Sequence, residues 1–258
     1  MSIRNTTRIS TYHPIRGAHP AYMIDHINAL MAPISLWPLM EDSGTRKDMR
    51  AENHLTDNNT VTGNPGPSVN IPLASQFTAA NSEYLSLANN AFIDSATGTF
   101  SHWGFFYIDT LASVRVKNLG LAFKGAVDSV EWVLWQWQGD DRIRFAVTTD
   151  GVWSTRTDAV GPVLSASTWY FIRWGWDNEA NTTNIQVDRG AVASATFTGN
   201  IFDNNEVLSW GRSPDTLDYI GARMAGQGRA NRAITSQEHT WLYNGGSGRS
   251  ASHLGWAA

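Results

Sequence analysis

The sequence predicts an all-β protein, built as a sandwich or barrel of antiparallel strands. Short runs of alternating apolar and polar residues recur about every ten residues, and clusters of Gly, Asn, Asp and Pro separate them. The 258 residues include 12 Trp, 10 Phe and 7 Tyr, enough large side chains to fill a two-layer core. Parallel α/β folds are excluded because no long helical segments connect the predicted strands.

Residues 1–30 lack this alternation, and we expect them to form an extended N-terminal arm. Two interpretations of the arm stay open: a floppy terminus, and a tether that becomes ordered on a partner. For a tether, Tyr12, His13 and Tyr22 are the candidate anchoring residues.

The strand pattern is clearest at Ile143–Val147, where three apolar side chains take one face and Arg144 takes the other. Val114–Lys117 and Ile185–Asp188 repeat this alternation and are predicted to be strands for the same reason. The further predicted strands are Leu85–Leu87, Phe100–Ile108, Val130–Gln138, Val152–Thr157, Tyr170–Trp176, Ala193–Thr198 and Val207–Trp210. Asn58–Pro72, which is rich in proline, is predicted to be the longest loop and to cross between sheets.

One short helix is predicted near the C-terminus. Thr235 and Glu238 have the spacing of a capping box, in which each side chain bonds to the backbone N–H of the other residue. The helix should end at Asn244, just before two glycines. Because about two turns are too short to be stable alone, we expect Trp241 and Leu242 to pack it onto the sandwich.

We expect one domain over residues 31–250, followed by a tail of residues 251–258. The formal net charge is −4 and the basic residues are scattered, which argues against a nucleic-acid partner. The absence of cysteine excludes disulfides and thiolate metal sites. Neither a secretory signal nor a membrane-spanning segment is visible, so we expect synthesis in the cytoplasm and no membrane partner.

A set of short motifs follows in a fixed order: Leu36–Thr45, Asn53–Asn59, Tyr84–Leu87, Thr168–Ile172, Trp210–Arg212 and Leu242–Gly246. This ordered set resembles the laminin-G-like domains of the concanavalin A-like lectin/glucanase superfamily, of the kind found in bacteriophage virion proteins. The resemblance implies a jelly roll of two curved antiparallel sheets. Gly221–Arg232 departs from it, because relatives carry an acidic strand where this segment is rich in Gly and Arg. We therefore expect the final strand to be broken or rebuilt there.

The superfamily includes glucanases, so the resemblance leaves glycoside hydrolysis as one function that the residues must support or exclude. Retaining glycoside hydrolysis needs two carboxylates about 5 Å apart. The corresponding aromatic-rich strand, Glu131–Gln138, carries one carboxylate and no partner two residues further on. The sequence also lacks cysteine, a nucleophile elbow and a histidine pair at zinc-ligand spacing. We expect a protein that is not an enzyme.

Calcium is the candidate metal. Oxygen donors cluster at Asp140–Asp141 and at Asp177–Asn181, and calcium prefers about six to eight oxygen ligands. Asp177, Asn178 and Glu179 are the candidate ligands, since relatives often hold calcium at a loop edge. The alternative is that Asp and Asn occupy these positions because they suit tight turns.

The aromatic residues are the candidate ligand-binding groups. Six lie on neighbouring predicted strands: Trp132, Trp135, Trp137, Trp153, Trp174 and Trp176. Most should fill the core, and the alternation favours burial of Trp174 and Trp176. Trp135, Trp137 and Trp153 are expected to be exposed and are the candidate glycan-binding residues, since an exposed ring can stack on the C–H face of a sugar.

Two functional classes remain: a glycan-binding module, and a structural protein that uses the sandwich for assembly. Laminin-G-like domains act mostly outside cells, and phage proteins reach the exterior by lysis without an export signal. We therefore expect a non-enzymatic virion surface protein, either capsid decoration or a tail or fibre component, with major capsid or tail proteins as partners. It would be a symmetric homo-oligomer that attaches to cell-surface polysaccharide. The alternative is a secreted or cell-surface bacterial carbohydrate-binding module.

Overall fold

Two antiparallel sheets face each other across an aromatic core in the computed structural model, which describes residues 33–50, 53–95, 98–213 and 218–249. In chain order the strands are β1 (Pro33–Trp37), β2 (Thr56–Asn58), β3 (Thr62–Ser68), β4 (Ile71–Phe77), β5 (Tyr84–Leu87), β6 (Phe100–Ile108), β7 (Leu119–Ala126), β8 (Ser129–Gln136), β9 (Arg142–Val147), β10 (Thr157–Val163), β11 (Trp169–Asp177), β12 (Thr182–Val187), β13 (Ala193–Thr196), β14 (Leu208–Trp210) and β15 (Ala222–Ala230). The helices are α1 (Ala112–Arg115) and α2 (Ser236–Tyr243).

Sheet I has the strand order β13-β12-β11-β6-β15-β4-β3, with β1 also paired to β15. Sheet II has the order β10-β9-β8-β7-β14-β5-β2. Each pair of neighbouring strands is antiparallel, and the crossovers between strands distant in sequence tie the two sheets together. The predicted two-sheet antiparallel sandwich is confirmed.

The core lies between the sheets and is filled by the inward side of each alternation. Trp174 and Trp176 on β11 are each 1% exposed, as the alternation predicts. Trp132 from β8 and Trp210 from β14 reach the same core from sheet II. Removing these rings from water supplies much of the stabilisation that a chain without disulfides requires.

A second, smaller apolar cluster lies on the outer side of sheet I, where α2 packs. Thr235 and Glu238 form the predicted capping box, and Asn244 ends the helix in the left-handed conformation. Leu242 is buried and Trp241 packs partly buried against the cluster, so both predicted contacts are confirmed.

Three predictions about the strands were wrong. Val114–Lys117 forms the end of α1 and a turn, because Val116 has φ 55° and leaves the strand region. Val152–Thr157 is a turn with a 3-10 helix over Trp153–Thr155, and only Thr157 belongs to a strand. The Asp150 carboxylate holds this turn by accepting hydrogen bonds from the Val152 N–H and the Thr155 hydroxyl.

The third error concerns Asn58–Pro72, which contains β3 and part of β4 instead of a loop. Pro65 and Pro67 are tolerated because they lie in β3, the edge of sheet I, where a missing ladder donor costs little. Gly221–Arg232, expected to be broken or rebuilt, forms the long strand β15 with one irregularity between Ala225 and Gly228. Its register resumes after this bulge.

The arm residues Tyr12, His13 and Tyr22, and the tail over residues 251–258, lie outside the described residues. Among the residues described, no helix reaches the length and hydrophobicity that a bilayer crossing requires.

Candidate functional site

The three candidate glycan-binding tryptophans come together on the outer face of sheet II. Trp135 belongs to β8, Trp137 directly follows β8, and Trp153 lies in a one-turn 3-10 helix between β9 and β10. The Trp135 and Trp153 rings meet edge to face, with centroids 5.1 Å apart and planes at 68°. Two loops and one strand therefore build a single aromatic patch.

The prediction that Trp135 is exposed was wrong, since its side chain is 2% exposed. Alternation does place it on the outer face of sheet II, but there it packs in a cluster with Phe123, Val133 and Ala146, against which Trp153 also lies. Trp137 is 38% exposed and Trp153 is half-buried, so these two rings remain available to a ligand.

Two arginines hold the rings in place. The Arg144 guanidinium carbon lies 4.4 Å from the centroid of Trp137 and 5.9 Å from that of Trp135. The corresponding carbon of Arg156 lies 4.5 Å from Trp153 and 5.4 Å from Trp135. Rings and cations alternate across the patch, and each such contact stabilises it by about 0.5–1 kcal/mol at a surface. We call these five side chains the aromatic surface.

Carboxylates neutralise the two arginines. Asp158 lies 3.6 Å from Arg144 Nη1 and 3.1 Å from Arg156 Nε, and Asp140 lies 3.0 Å from Arg144 Nη2. Burial raises the pKa of Asp158, although both arginines oppose this shift. The rings of the aromatic surface are thus packed against arginines whose charges are paired, which suits contact with the apolar face of a neutral ligand.

Sequence reasoning missed the arginines of the aromatic surface as functional residues. Arg144 was recognised only as the polar side of a strand. Its pairing with Trp135 across β8 and β9 is a matter of strand register, which alternation alone does not give. A Cβ at position 139 would lie 3.0 Å from the ring of Trp137, so a residue larger than Gly139 would crowd this ring.

The calcium candidates occupy the turn between β11 and β12. Asp177 Oδ1 accepts hydrogen bonds from the backbone N–H groups of Glu179 and Ala180, each at 3.1 Å. The Asn178 N–H donates to Thr99 Oγ1. These contacts are those of an Asx turn, the alternative given above, and calcium binding at this turn stays a prediction.

A different group of carboxylates converges beside sheet II. Ligand oxygens of Asp94, Glu131 and Asp203 lie within 4.8 Å of one another, so Glu131 does have acidic neighbours, supplied by loops. The Glu131 side chain is 0% exposed, and Lys124 Nζ lies 2.5 Å from its Oε2. Its Oε1 accepts a hydrogen bond from the Ser95 N–H at 3.2 Å. Both oxygens are therefore engaged inside the protein.

This ion pair belongs to a polar network that joins the two sheets. Lys124 also donates to Asn204, while Arg229 on β15 contacts Ser95 Oγ and lies 2.9 Å from the Nε2 atom of His102. Burial raises the pKa of Glu131 to about 7, with Lys124 opposing the shift. Burial and the charge of Arg229 lower the pKa of His102, so this histidine is neutral. The network thus links the two sheets and holds Glu131 inside the protein.

No family model matches the chain, and no curated protein matches its sequence. Solved structures do resemble it. The binding domain of Paraclostridial Mosquitocidal Protein 1 has a TM-score of 0.64 at 13% identity, covering 81% of this chain. A structure of botulinum neurotoxin type C, whose cell entry depends on interaction with two ganglioside molecules, has a TM-score of 0.62 at 10% identity over 84% of this chain.

The sialidase of Trypanosoma rangeli, solved in complex with sialic acid, has a TM-score of 0.59 at 11% identity and covers 81% of this chain. This chain spans 51% and 52% of the two toxin structures and 32% of the sialidase. At such identities the likeness shows the fold alone, and it agrees with the jelly-roll sandwich that the motifs imply.

Proposed function

We propose that this protein is a non-catalytic carbohydrate-binding domain that binds the apolar face of a neutral sugar at the aromatic surface. The observation that carries this proposal is the pair of partly exposed rings, Trp137 and Trp153, held in place by arginine and indole neighbours. Flat apolar rings stack on the C–H face of a sugar. Because the rings are already fixed, little side-chain entropy is lost on binding.

Structural neighbours give the proposal support of a coarser kind. Cell entry of botulinum neurotoxin type C depends on interaction with two ganglioside molecules, and the Trypanosoma rangeli sialidase forms a complex with sialic acid, so a sandwich of this shape is compatible with glycan-related roles. This chain matches 52% of the neurotoxin structure and 32% of the sialidase, so the likeness does not show which part of either protein contacts the sugar. The aromatic surface of this chain is therefore the site to test.

The absence of catalysis is part of the proposal. Glu131 is the buried carboxylate with the pKa best suited to a general acid, but Lys124 and Ser95 hold its oxygens inside the protein. A general acid must reach the glycosidic oxygen of a bound substrate, and a side chain that is 0% exposed does not.

A glycan array tests the proposal. Wild-type protein should bind neutral glycans, and Trp137→Ala and Trp153→Ala should each weaken binding by about tenfold or more, the loss expected when a stacking ring is removed. Trp241→Ala is the matched control, because Trp241 is also partly buried beside an arginine, Arg249, but lies on α2. Equal binding by all three variants, or no binding by the wild type, would refute the assignment.

We propose further that the domain is carried on the surface of a phage virion, as a capsid decoration or a tail or fibre component. The motif resemblance supports this, with major capsid or tail proteins as partners, a homo-oligomeric state and the arm over residues 1–30 as the anchor. Mass spectrometry of purified particles is the test. Deleting residues 2–30 should remove the protein from particles while leaving its unfolding midpoint unchanged, and retained incorporation would contradict the anchoring role.

A further inference from the structure

A polar cavity of about 160 Å³ opens on the outer face of sheet I, on the opposite sheet from the aromatic surface. Strands β6, β11 and β12 form its floor, and the segment between β15 and α2 forms its roof. Its lining includes Ser101, Arg173, Gly175, Asp177, Asn184 and Ile234.

Arg173 is the unusual member of this cavity. It is 7% exposed, and no carboxylate of the described residues lies within ion-pair distance of it. Its Nη1 donates to the Ile234 carbonyl oxygen, and its other N–H groups make no hydrogen bond to described residues. A guanidinium carries five donors, and the Arg173 nitrogens without such a hydrogen bond are not among the sealed atoms of the structure, so they are open to the cavity.

Such a cation is costly unless an acceptor reaches it. Burial lowers the pKa of Arg173 to about 10, against the weaker opposing effect of Glu238, so the side chain stays charged at neutral pH. Glu238 itself is engaged by Arg232, at 2.6 Å. The cavity beside Arg173 is therefore the place where an anion can approach and complete its hydrogen bonding.

The floor of the cavity is bare backbone flanked by small polar side chains. Gly175 pairs with Ser101 on one side and with Asn184 on the other, so these three residues face the cavity together. A side chain cannot replace the glycine, because a Cβ there would lie 2.1 Å from the Phe100 carbonyl oxygen. The Ser101 hydroxyl accepts from the Ile234 N–H and still has its own proton to donate.

Asp177 lies at the far end of the cavity, four residues along β11 from Arg173 and so about 13 Å away along the strand. Its Oδ1 is engaged by the turn, and at this distance its charge opposes an anion at Arg173 only weakly. The cavity thus has a cationic end, a polar middle and an end that accepts hydrogen bonds.

We propose that this cavity binds the carboxylate of an acidic sugar, with Arg173 as the carboxylate partner and Ser101 and Asn184 as partners of the ring hydroxyls. A carboxylate matches the guanidinium fork. The ring hydroxyls match the Ser101 hydroxyl, which can donate its proton, and Asn184 Oδ1, which can accept, since the Asn184 amide group donates to Thr182. The site lies on sheet I and does not depend on the aromatic surface of sheet II.

Two matched ligands test the proposal: methyl β-D-glucuronide, and methyl β-D-glucoside, which differs by having CH2OH in place of the carboxylate. Titration followed by amide NMR should show the glucuronide binding at least about tenfold more tightly, as expected for a charge-assisted hydrogen bond. The shifted resonances should centre on Gly175 and its neighbours in sheet I. Equal affinity for the two sugars, or shifts confined to another region, would overturn the assignment.

Variants make the test specific. Arg173→Gln should abolish the preference for the glucuronide, and Arg189→Gln, the same change at an exposed arginine, should leave it intact. Arg173→Lys keeps the charge but loses the two parallel N–H donors of the guanidinium, so it should bind the glucuronide several-fold more weakly. If Arg173→Gln does not fold, Arg173→Lys and Asn184→Ala provide the test in its place. Persistence of the preference in Arg173→Gln, or unchanged binding in both other variants, would contradict the proposal. Acetate binding as tightly as the glucuronide would exclude the sugar.

The proposals for the two sites can be refuted independently of each other. Trp137→Ala combined with Trp153→Ala should remove binding of neutral glycans but leave the glucuronide preference in place. Loss of the glucuronide preference in this double variant would show that the carboxylate binds at the aromatic surface instead.

Discussion

The buried pair Lys124–Glu131 tests whether the carboxylate cluster is structural. Both side chains are 0% exposed, and Nζ lies 2.5 Å from Oε2. Lys124→Met removes the cation and leaves Glu131 without its partner. Breaking a buried pair in this way costs about 3–5 kcal/mol, because the remaining charge loses its compensation. We expect the free energy of unfolding to fall by about this amount at pH 8.

The pH dependence gives this prediction a second arm. The folded pKa of Glu131, about 7, lies above its ordinary value of 4.5, so its contribution to stability is complete below pH 4.5 and is lost as the pH rises through about 7. The shift corresponds to at most about 3–4 kcal/mol. Glu131→Gln should remove this part of the pH dependence, and the double variant with Lys124→Met should be more stable than Lys124→Met alone.

Urea unfolding followed by tryptophan fluorescence, at about pH 5 and about pH 8, measures both effects. The difference between wild type and Glu131→Gln isolates the contribution of this carboxyl from that of the other ionisable groups. A cost below about 1 kcal/mol for Lys124→Met at pH 8, or a double variant less stable than the single one, would refute a structural role for the pair.

Three further predictions concern stability. Trp135→Ala should cost about 3–5 kcal/mol in urea unfolding because the ring is buried, whereas Trp137→Ala should cost less than about 1 kcal/mol; similar losses would contradict the assigned exposures. Thr235→Ala should cost about 1 kcal/mol in the same assay by removing the capping box, and no loss would show that packing alone holds α2. Burial lowers the pKa of His239 to about 4, so the stability that its neutral form contributes is complete above pH 6.5 and is lost as the pH falls through 4. Thermal unfolding of His239→Gln should lack this loss of stability at low pH. If the pH profile of the variant matches that of the wild type, the loss belongs to another group.

The sequence predicts the sandwich well because local alternation reports the inside of a sheet directly. Trp174 and Trp176 follow that rule, and so does the capping box at Thr235. The same rule failed at Val114–Lys117, where alternation of apolar and basic residues describes an exposed turn. A local pattern does not show whether a partner strand exists beside it.

The candidate sites were harder to predict, since they depend on contacts between distant segments. Alternation placed Trp135 away from the core, but the ring is covered on the outer face by Trp153 from a separate turn. The acidic neighbours of Glu131 come from loops, so inspection of its own strand did not reveal them. In the part of the chain that the structure describes, Arg173 lacks a carboxylate partner because of the side chains that surround it in the folded protein, and these come from several separate segments. Each of these features is set by register and loop packing.

Indole NMR during titration with a glycan that binds on the array tests the central claim most directly, because each tryptophan Nε1–H gives its own resonance. If the aromatic surface holds the sugar, the Trp137 and Trp153 signals should shift with a common saturation curve while those of the core rings Trp174 and Trp210 stay in place. Shifts confined to other tryptophans, with Trp137 and Trp153 unmoved, would contradict this account.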